Sequence, residues 1–432
     1  MFSPRGGSSH VVRALARELP AYGWDTTIVC GSIETPGHPG DARRFFEDLD
    51  VRVLDMTAAL GAPDPLLAER PLHASYEDRP GAPDRVFAAL DDATLAHQGE
   101  AWERALLAAG AADADVLHLN HLTPLNEAAA RVAPATPIVG HLHGTELLML
   151  EAIEDGPPLH WPYAERWAER MRRWAQSCER LIVLTKSQVE RVERLLGVDP
   201  ERCTLVPNGF DPRHFDRRPV DRLAHWRCHL GERDLEAFAQ GPVLLYVGRF
   251  TAVKRLGLLI AAYERARVGF GVRAPLVLLG GFPGESEGEH PLAAVERVGA
   301  RDVFLAGWHP QEALPDFYRA SDVVVLPSVA EQFGQTLVEG MACGLPAIAV
   351  ARHGPAEIVA DGESGWLVAP DDERQLAAAL LAAVRDPEER RRRGRCAHDS
   401  VRGRYAWPGL AGQVAAVYRV ASRRDATAAA LS

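Results

Sequence analysis

The chain has 432 residues, 47% apolar and 25% charged, with a net charge of −11. That length holds two domains of ordinary size, each with its own core. The acidic balance excludes a protein built to hold nucleic acid, which needs a basic surface to displace counterions, and no apolar run reaches the roughly 20 residues of a spanning helix.

In chain order, Gly6–Gly7 forms a turn that runs into a helical pattern of Val11, Val12, Leu15 and Leu19. In an α/β protein such a turn normally follows a strand. Residues 1–5 leave no room for one, so either the natural start lies upstream, which is the expectation, or the first domain lacks its central strand. Short apolar runs predict strands at Thr26–Cys30, Val51–Leu54, Val116–Leu119, Ile138–Leu142 and Leu181–Leu184. Two Asp-x-Asp strings, Asp48–Leu49–Asp50 and Asp113–Ala114–Asp115, each precede a strand and read as turn acids. Met56–Asp115 is rich in Ala, Pro and Asp, with a helix near Asp92–Ala109. His141 and His143 are two apart along a strand and point to one side. They could start a metal site, but no third ligand at readable spacing supports one; a hydrogen-bonded core histidine is the competing reading.

The turn-rich stretch Val206–Pro207–Asn208–Gly209–Phe210–Asp211–Pro212 suits a hinge. It divides the chain into domains 1–206 and 207–407, with a last helix about Leu410–Val420 following Trp407–Pro408, so that 408–424 completes the first domain. The second half repeats the pattern, with strands at Val243–Val247, Leu276–Leu279, Val303–Leu305, Val323–Leu326, Ala347–Val350 and Trp366–Val368. Runs apolar on both faces fit parallel strands covered on each side by helices. Two such series predict an α/β protein of two doubly wound, Rossmann-like domains.

Four stretches of the second half lie where such a sheet binds ligands, at the carboxyl ends of strands. Gly248–Arg249 and Lys254 follow the first strand, and two fixed cations can neutralise charge building on a departing diphosphate; solvent-exposed cations are an equally good reading of that string alone. Gly280–Gly281–Phe282–Pro283–Gly284 lacks the G-x-G-x-x-G pattern of dinucleotide binders and reads as a loop at the mouth of the domain. Leu305–Ala306–Gly307–Trp308–His309 closes the next strand, where Trp308 also suits a core position. The fourth, Pro327–Ala342, places Glu331 in a loop and opens a helix near Gly334, whose first N–H groups lack partners within the helix and can bind phosphate. Glu339 follows in that helix, and a carboxylate there can accept two hydrogen bonds from a vicinal diol. Arg390–Arg391–Arg392–Arg393, offset by Asp386, Glu388 and Glu389, reads as a solvated helix face.

Glu331–Gln332–Phe333–Gly334 through Glu339 resembles the E-x-F-G-x-x-x-x-E motif of retaining GT-B glycosyltransferases, the group containing sucrose synthases and bacterial mannosyltransferases. Gly248–Lys254 resembles the G-R-x-x-x-x-K-G segment of that group, departing from it by Arg255 in place of the usual Gly. The resemblance implies two Rossmann-like domains facing across a cleft. It implies metal-independent transfer, with retention, from a nucleotide diphosphate sugar (a UDP-sugar or GDP-sugar) to a small-molecule, glycan or lipid-linked hydroxyl acceptor, with no cofactor beyond the donor as co-substrate. By the same resemblance Arg249 and Lys254 grip the diphosphate, and Glu331 with the backbone of Phe333, Gly334, Gln335, Thr336 and Leu337 orients the sugar. Glu339 holds the ribose, the neighbourhood of Trp308 cradles the base, Gly6 and Gly7 line the diphosphate, and His143 approaches the reaction centre. Met56–Asp115 would then be a lid on the acceptor side. A non-catalytic sugar-nucleotide-binding protein, an epimerase and a phosphorylase on the same architecture are the alternatives. The six cysteines, Cys30, Cys178, Cys203, Cys228, Cys343 and Cys396, form no C-x-x-C pair. Reduced thiols and a cytoplasmic location are expected, with weak peripheral membrane contact left open.

Overall fold

A computed structural model describes residues 6–78, 82–231, 235–281 and 287–429, with side chains given through residue 422. The chain forms two compact units, Met1–Pro207 with Pro408–Ser432, and Asn208–Trp407.

In the first unit, β1 (Thr27–Ser32) and β2 (Asp50–Asp55) form one parallel ladder. A second parallel sheet runs β3 (Leu117–Asn120), β4 (Ile138–His141), β5 (Arg180–Val183) and β6 (Cys203–Leu205) in that order. All five predicted runs are strands. The sixth, β6, carries no apolar run, because a three-residue edge strand with a half-buried face needs none. Residues 1–5, ahead of the Gly6–Gly7 turn, lie outside the described residues.

The stretch from Met56 to Asp115 packs as part of the core rather than as a lid. Three 3₁₀ turns, Thr57–Gly61, Pro65–Leu67 and Phe87–Ala89, precede the helix Asp92–Ala108. They bury Leu66, Phe87 and, from that helix, Trp102. The Phe87 ring stacks on Trp167 at 4.4 Å between centroids, and aromatic burial on this scale dominates local energetics. The last helix, Trp407–Ala429, sends Leu410, Val414 and Ala415 into the buried interior of the first unit. Its Tyr418 hydroxyl lies 2.5 Å from Nδ1 of His118 on β3, and its ring meets Trp24 edge-on at 5.0 Å.

The second unit is one six-stranded parallel sheet: β7 (Leu244–Gly248), β8 (Leu276–Gly280), β9 (Val303–Gly307), β10 (Val323–Leu326), β11 (Ala347–Val350) and β12 (Gly365–Val368). Their spatial order is β12-β11-β10-β7-β8-β9. All six predicted runs are strands. Taken in chain order from β7, this is the 3-2-1-4-5-6 arrangement of dinucleotide-type sheets. The order reverses between β7 and β10, which pair at Val323↔Leu244 and Val324↔Leu245. The connections on the two sides of that pair run opposite ways, so a crevice opens at its carboxyl ends.

Candidate functional site

The loops leaving β7 and β10 meet at that crevice. Val329 N–H donates to the Val253 carbonyl at 3.1 Å, and Ser328 Oγ does so at 3.3 Å. These bonds bring Lys254 Nζ to 2.5 Å from Glu331 Oε2, with the two side chains 16% and 18% exposed. Burial, the largest influence on Glu331, pushes its pKa up. The Lys254 ammonium, the Phe333 N–H and the Arg249 guanidinium together outweigh it and hold the carboxyl below the usual glutamate range. Glu331 is therefore an ionised acceptor. Arg249, whose carbonyl takes the buried Tyr246 hydroxyl at 2.7 Å, completes a cluster of two cations and one carboxylate.

Two glycines make the approach possible. A Cβ on Gly280 would stand 1.8 Å from the Gly248 carbonyl oxygen, so β7 and β8 can end side by side only with bare backbone there. Gly334, at φ 112, caps the helix Gln335–Ala342 in a left-handed conformation that favours glycine. It turns the backbone of Gln335, Thr336 and Leu337 into the helix directly after Phe333, which is buried edge-on to Tyr405 at 5.8 Å.

Arg255 adopts the left-handed conformation (φ 54, ψ 39) at the start of the helix Leu256–Arg267. The turn is therefore the one a glycine would make. The Arg255 side chain instead reaches Asp371, with Nε 2.7 Å from Oδ1 and Nη2 3.3 Å from Oδ2.

Glu339 is 2% exposed. Its Oε1 accepts from Gln335 Nε2 at 3.1 Å and Gln311 Nε2 at 3.2 Å, and its Oε2 accepts from the Tyr318 hydroxyl at 3.1 Å. Burial raises its pKa to about 6 against the opposing pull of these donors. A carboxylate offers about four acceptor positions, so a diol can take two only if one present donor gives way. Sequence reasoning missed Gln311 and Tyr318. They reach Glu339 from another loop and helix, and no local spacing signals that. Gln335 Nε2 also donates to the Gly209 carbonyl at 2.7 Å. Trp308, after β9, is 50% exposed and so is not a core residue. Gly280 ends β8 and Gly281 follows it, and Phe282, Pro283 and Gly284 lie outside the described residues.

His143 and Gly6–Gly7 belong to the first unit. His143 Nε2 donates to Asn120 Oδ1 at 2.9 Å, leaving Nδ1 as the acceptor. Its ring stacks on His141 at 4.4 Å and 21°, and His141 stacks on His118 at 5.2 Å. Burial, then the neighbouring histidines, holds the His143 pKa well below the usual range, so the ring is neutral near pH 7. His118 Nε2 lies 3.2 Å from His141 Nδ1, so those two rings also share a hydrogen bond. Among the described residues no three His, Cys, Asp or Glu side chains form a metal-binding group. Gly6, at φ 115, caps the first helix, Gly7–Glu18.

Residues 232–399 match the family model described as glycosyl transferases group 1, and residues 5–214 the one described as glycosyltransferase family 4. Over 360 residues the chain is 32% identical to a D-inositol 3-phosphate glycosyltransferase of Stackebrandtia nassauensis, spanning 80% of this chain and 77% of that one. Sucrose-phosphate synthase from Thermosynechococcus elongatus has a similar fold (TM-score 0.72, 24% identity, 97% of this chain and 94% of that one). So does Anabaena HepE in complex with UDP and glucose (TM-score 0.68, 18% identity, 96% and 97%). The chain belongs to the GT-B glycosyltransferases that these two family models describe. No helix among the described residues is long and apolar enough to cross a membrane.

Proposed function

We propose that this glycosyltransferase moves a sugar, with retention and without a metal, from a nucleotide diphosphate sugar to a hydroxyl acceptor. The observation that carries the donor half is the Lys254–Glu331 pair beside Arg249, set at the switch point of the second unit. Lys254 and Arg249 supply positive charge where a diphosphate would leave, which is the service a divalent ion performs elsewhere. Ionised Glu331 accepts hydrogen bonds from the sugar, and the amides opening the helix Gln335–Ala342 face the same crevice. As the glycosidic bond stretches, negative charge collects on the leaving phosphate oxygen, which then takes the acceptor proton on the same face of the sugar. Glu339 takes the ribose once Gln311 gives way. His143 serves as a neutral imidazole toward the sugar, and Trp308 and Gly6–Gly7 complete the donor contacts.

HepE is solved with UDP, and the relatives are named D-inositol 3-phosphate glycosyltransferases, so UDP-sugars and D-inositol 3-phosphate head the panel to test. A cytoplasmic setting goes with this reading. The test is transfer from UDP- and GDP-sugars in the presence of a chelator, with the product anomer read by NMR. Donor-dependent product of unchanged anomeric configuration is expected, and Lys254→Ala lowers kcat by about 100- to 1000-fold. An inverted product removes retention, activity that only magnesium restores removes metal independence, and near-normal kcat in the variant removes the cationic clamp.

A further inference from the structure

The amino ends of the second unit's strands hold a different feature. Ser321–Asp322 lead into β10 and Leu345–Pro346 into β11, and beside them opens a cavity of about 240 Å³. Arg217, Arg218, Arg319, Arg390 and Arg391 line it, against one carboxylate, Asp322. In a chain of net charge −11 this is a marked local excess of positive charge.

Most nearby acids are already occupied. Asp216 serves both Arg319 and Arg218, each at 2.6 Å. Asp322 takes Arg222 and, at 2.8 Å, the Val243 N–H. Arg390 donates to the Ala383 carbonyl at 2.6 Å. The side chains of Arg217 and Arg391 make no hydrogen bond or ion pair with any described residue. Gly344, at φ 90, leaves bare backbone beneath Arg217: a Cβ there would lie 3.0 Å from Arg217 Nε. Burial first, then Arg391 and Arg222 against the opposing Asp322, holds the Arg390 pKa below its usual value. The basic run thus divides. Arg392 and Arg393 engage Glu389 at 2.6 and 2.7 Å, while Arg390 and Arg391 border the cavity.

We propose that this cavity binds a phosphate group, carried on a soluble ester or on a lipid headgroup. Guanidinium forks match pairs of phosphate oxygens. The volume, below the roughly 300–1,000 Å³ of ordinary small-molecule pockets, suits a phosphate with a short carrier. The site lies at the opposite strand ends from Lys254 and Glu331, so the two can be separated by substitution.

The full-length chain is titrated calorimetrically with inorganic phosphate and pyrophosphate at low salt. It is also floated with phosphatidylcholine vesicles with and without phosphatidylglycerol. The parent, K254A and the double variant R217Q/R391Q are compared. At least one probe is expected to bind the parent and K254A, and to bind R217Q/R391Q about tenfold or more weakly, the loss of charge-assisted hydrogen bonds. Saturable phosphate binding marks a soluble ester, and flotation that needs phosphatidylglycerol marks a headgroup. Should the double variant melt early, exposed Arg391 alone (R391Q) carries the same comparison. The proposal is overturned by a parent that binds no probe, by binding that R217Q/R391Q leaves unchanged, or by binding that K254A abolishes.

Discussion

Glu339 is a carboxylate held where a neutral side chain would sit more easily. Its folded pKa, about 6, lies above its ordinary value of 4.5, so between those values the folded chain binds more protons than the unfolded one. Its contribution is most favourable below pH 4.5 and is lost as pH rises to 6, by about 2 kcal/mol in all. We predict that Glu339→Gln flattens this part of the stability curve and raises stability at pH 7.5 by up to about 2 kcal/mol, while weakening donor binding. Urea unfolding at several pH values checks the first part, and donor titration the second. A variant that binds donor as tightly as the parent would remove Glu339 from the ribose. Arg255 makes the opposite case. Its left-handed backbone costs about 1–2 kcal/mol, which Gly would relieve. Gly also loses more entropy on folding, about 0.5–1 kcal/mol, and forfeits an exposed ion pair worth about 0–1 kcal/mol. Arg255→Gly should therefore change stability by less than about 1 kcal/mol and leave turnover near that of the parent. A thermal melt and a kcat measurement test this, and a large loss in either would show that the Arg255–Asp371 pair holds the Lys254 loop.

At the scale of elements, the site depends on β7, β8 and β10 ending close together. Gly280→Ala inserts a methyl 1.8 Å from the Gly248 carbonyl at a φ of 143. A cost of about 2–4 kcal/mol is expected, together with lower donor affinity as the Arg249–Lys254 loop shifts. Chemical denaturation and donor titration check this, and a neutral outcome would show that the loop tolerates displacement. Eleven of the twelve strands among the described residues were legible in the sequence, because apolar runs bounded by turn residues leave few alternatives. β6 was not, since Cys203–Thr204–Leu205 has neither length nor pattern. Glu331, Lys254 and Arg249 were legible as types of residue at strand ends. Their meeting was expected only through the family resemblance, because it depends on β10 lying beside β7, a pairing of strands 75 and more residues apart that no periodicity encodes. Likewise Gln311 and Tyr318 reach Glu339 only through tertiary packing. The Met56–Asp115 stretch was misread as a lid because its Ala- and Pro-rich composition hides anchors such as Phe87 and Trp102 among small residues.

For the whole molecule, the helix Trp407–Ala429 ties the last residues to the first unit. Removing 408–432 strips Leu410, Val414, Val417 and Tyr418 from their buried places. At about 1.5–3 kcal/mol for each large apolar side chain, the loss rivals the total stability of a typical domain. We predict that a chain ending at Trp407 loses amide hydrogen-exchange protection across residues 6–207 and keeps it across 208–407. Equal protection in both would show the helix to be dispensable.

That return of the chain also sets a schedule for synthesis. The Tyr418 hydroxyl meets His118, 300 positions earlier, so a ribosome must extrude every residue of the second unit before the first can be closed. A nascent first unit therefore waits unfinished, with apolar surface open to chaperones or to neighbouring chains, while the second folds behind it. Premature termination between codons 408 and 418 would release a product whose second unit is intact and whose opening unit never sets.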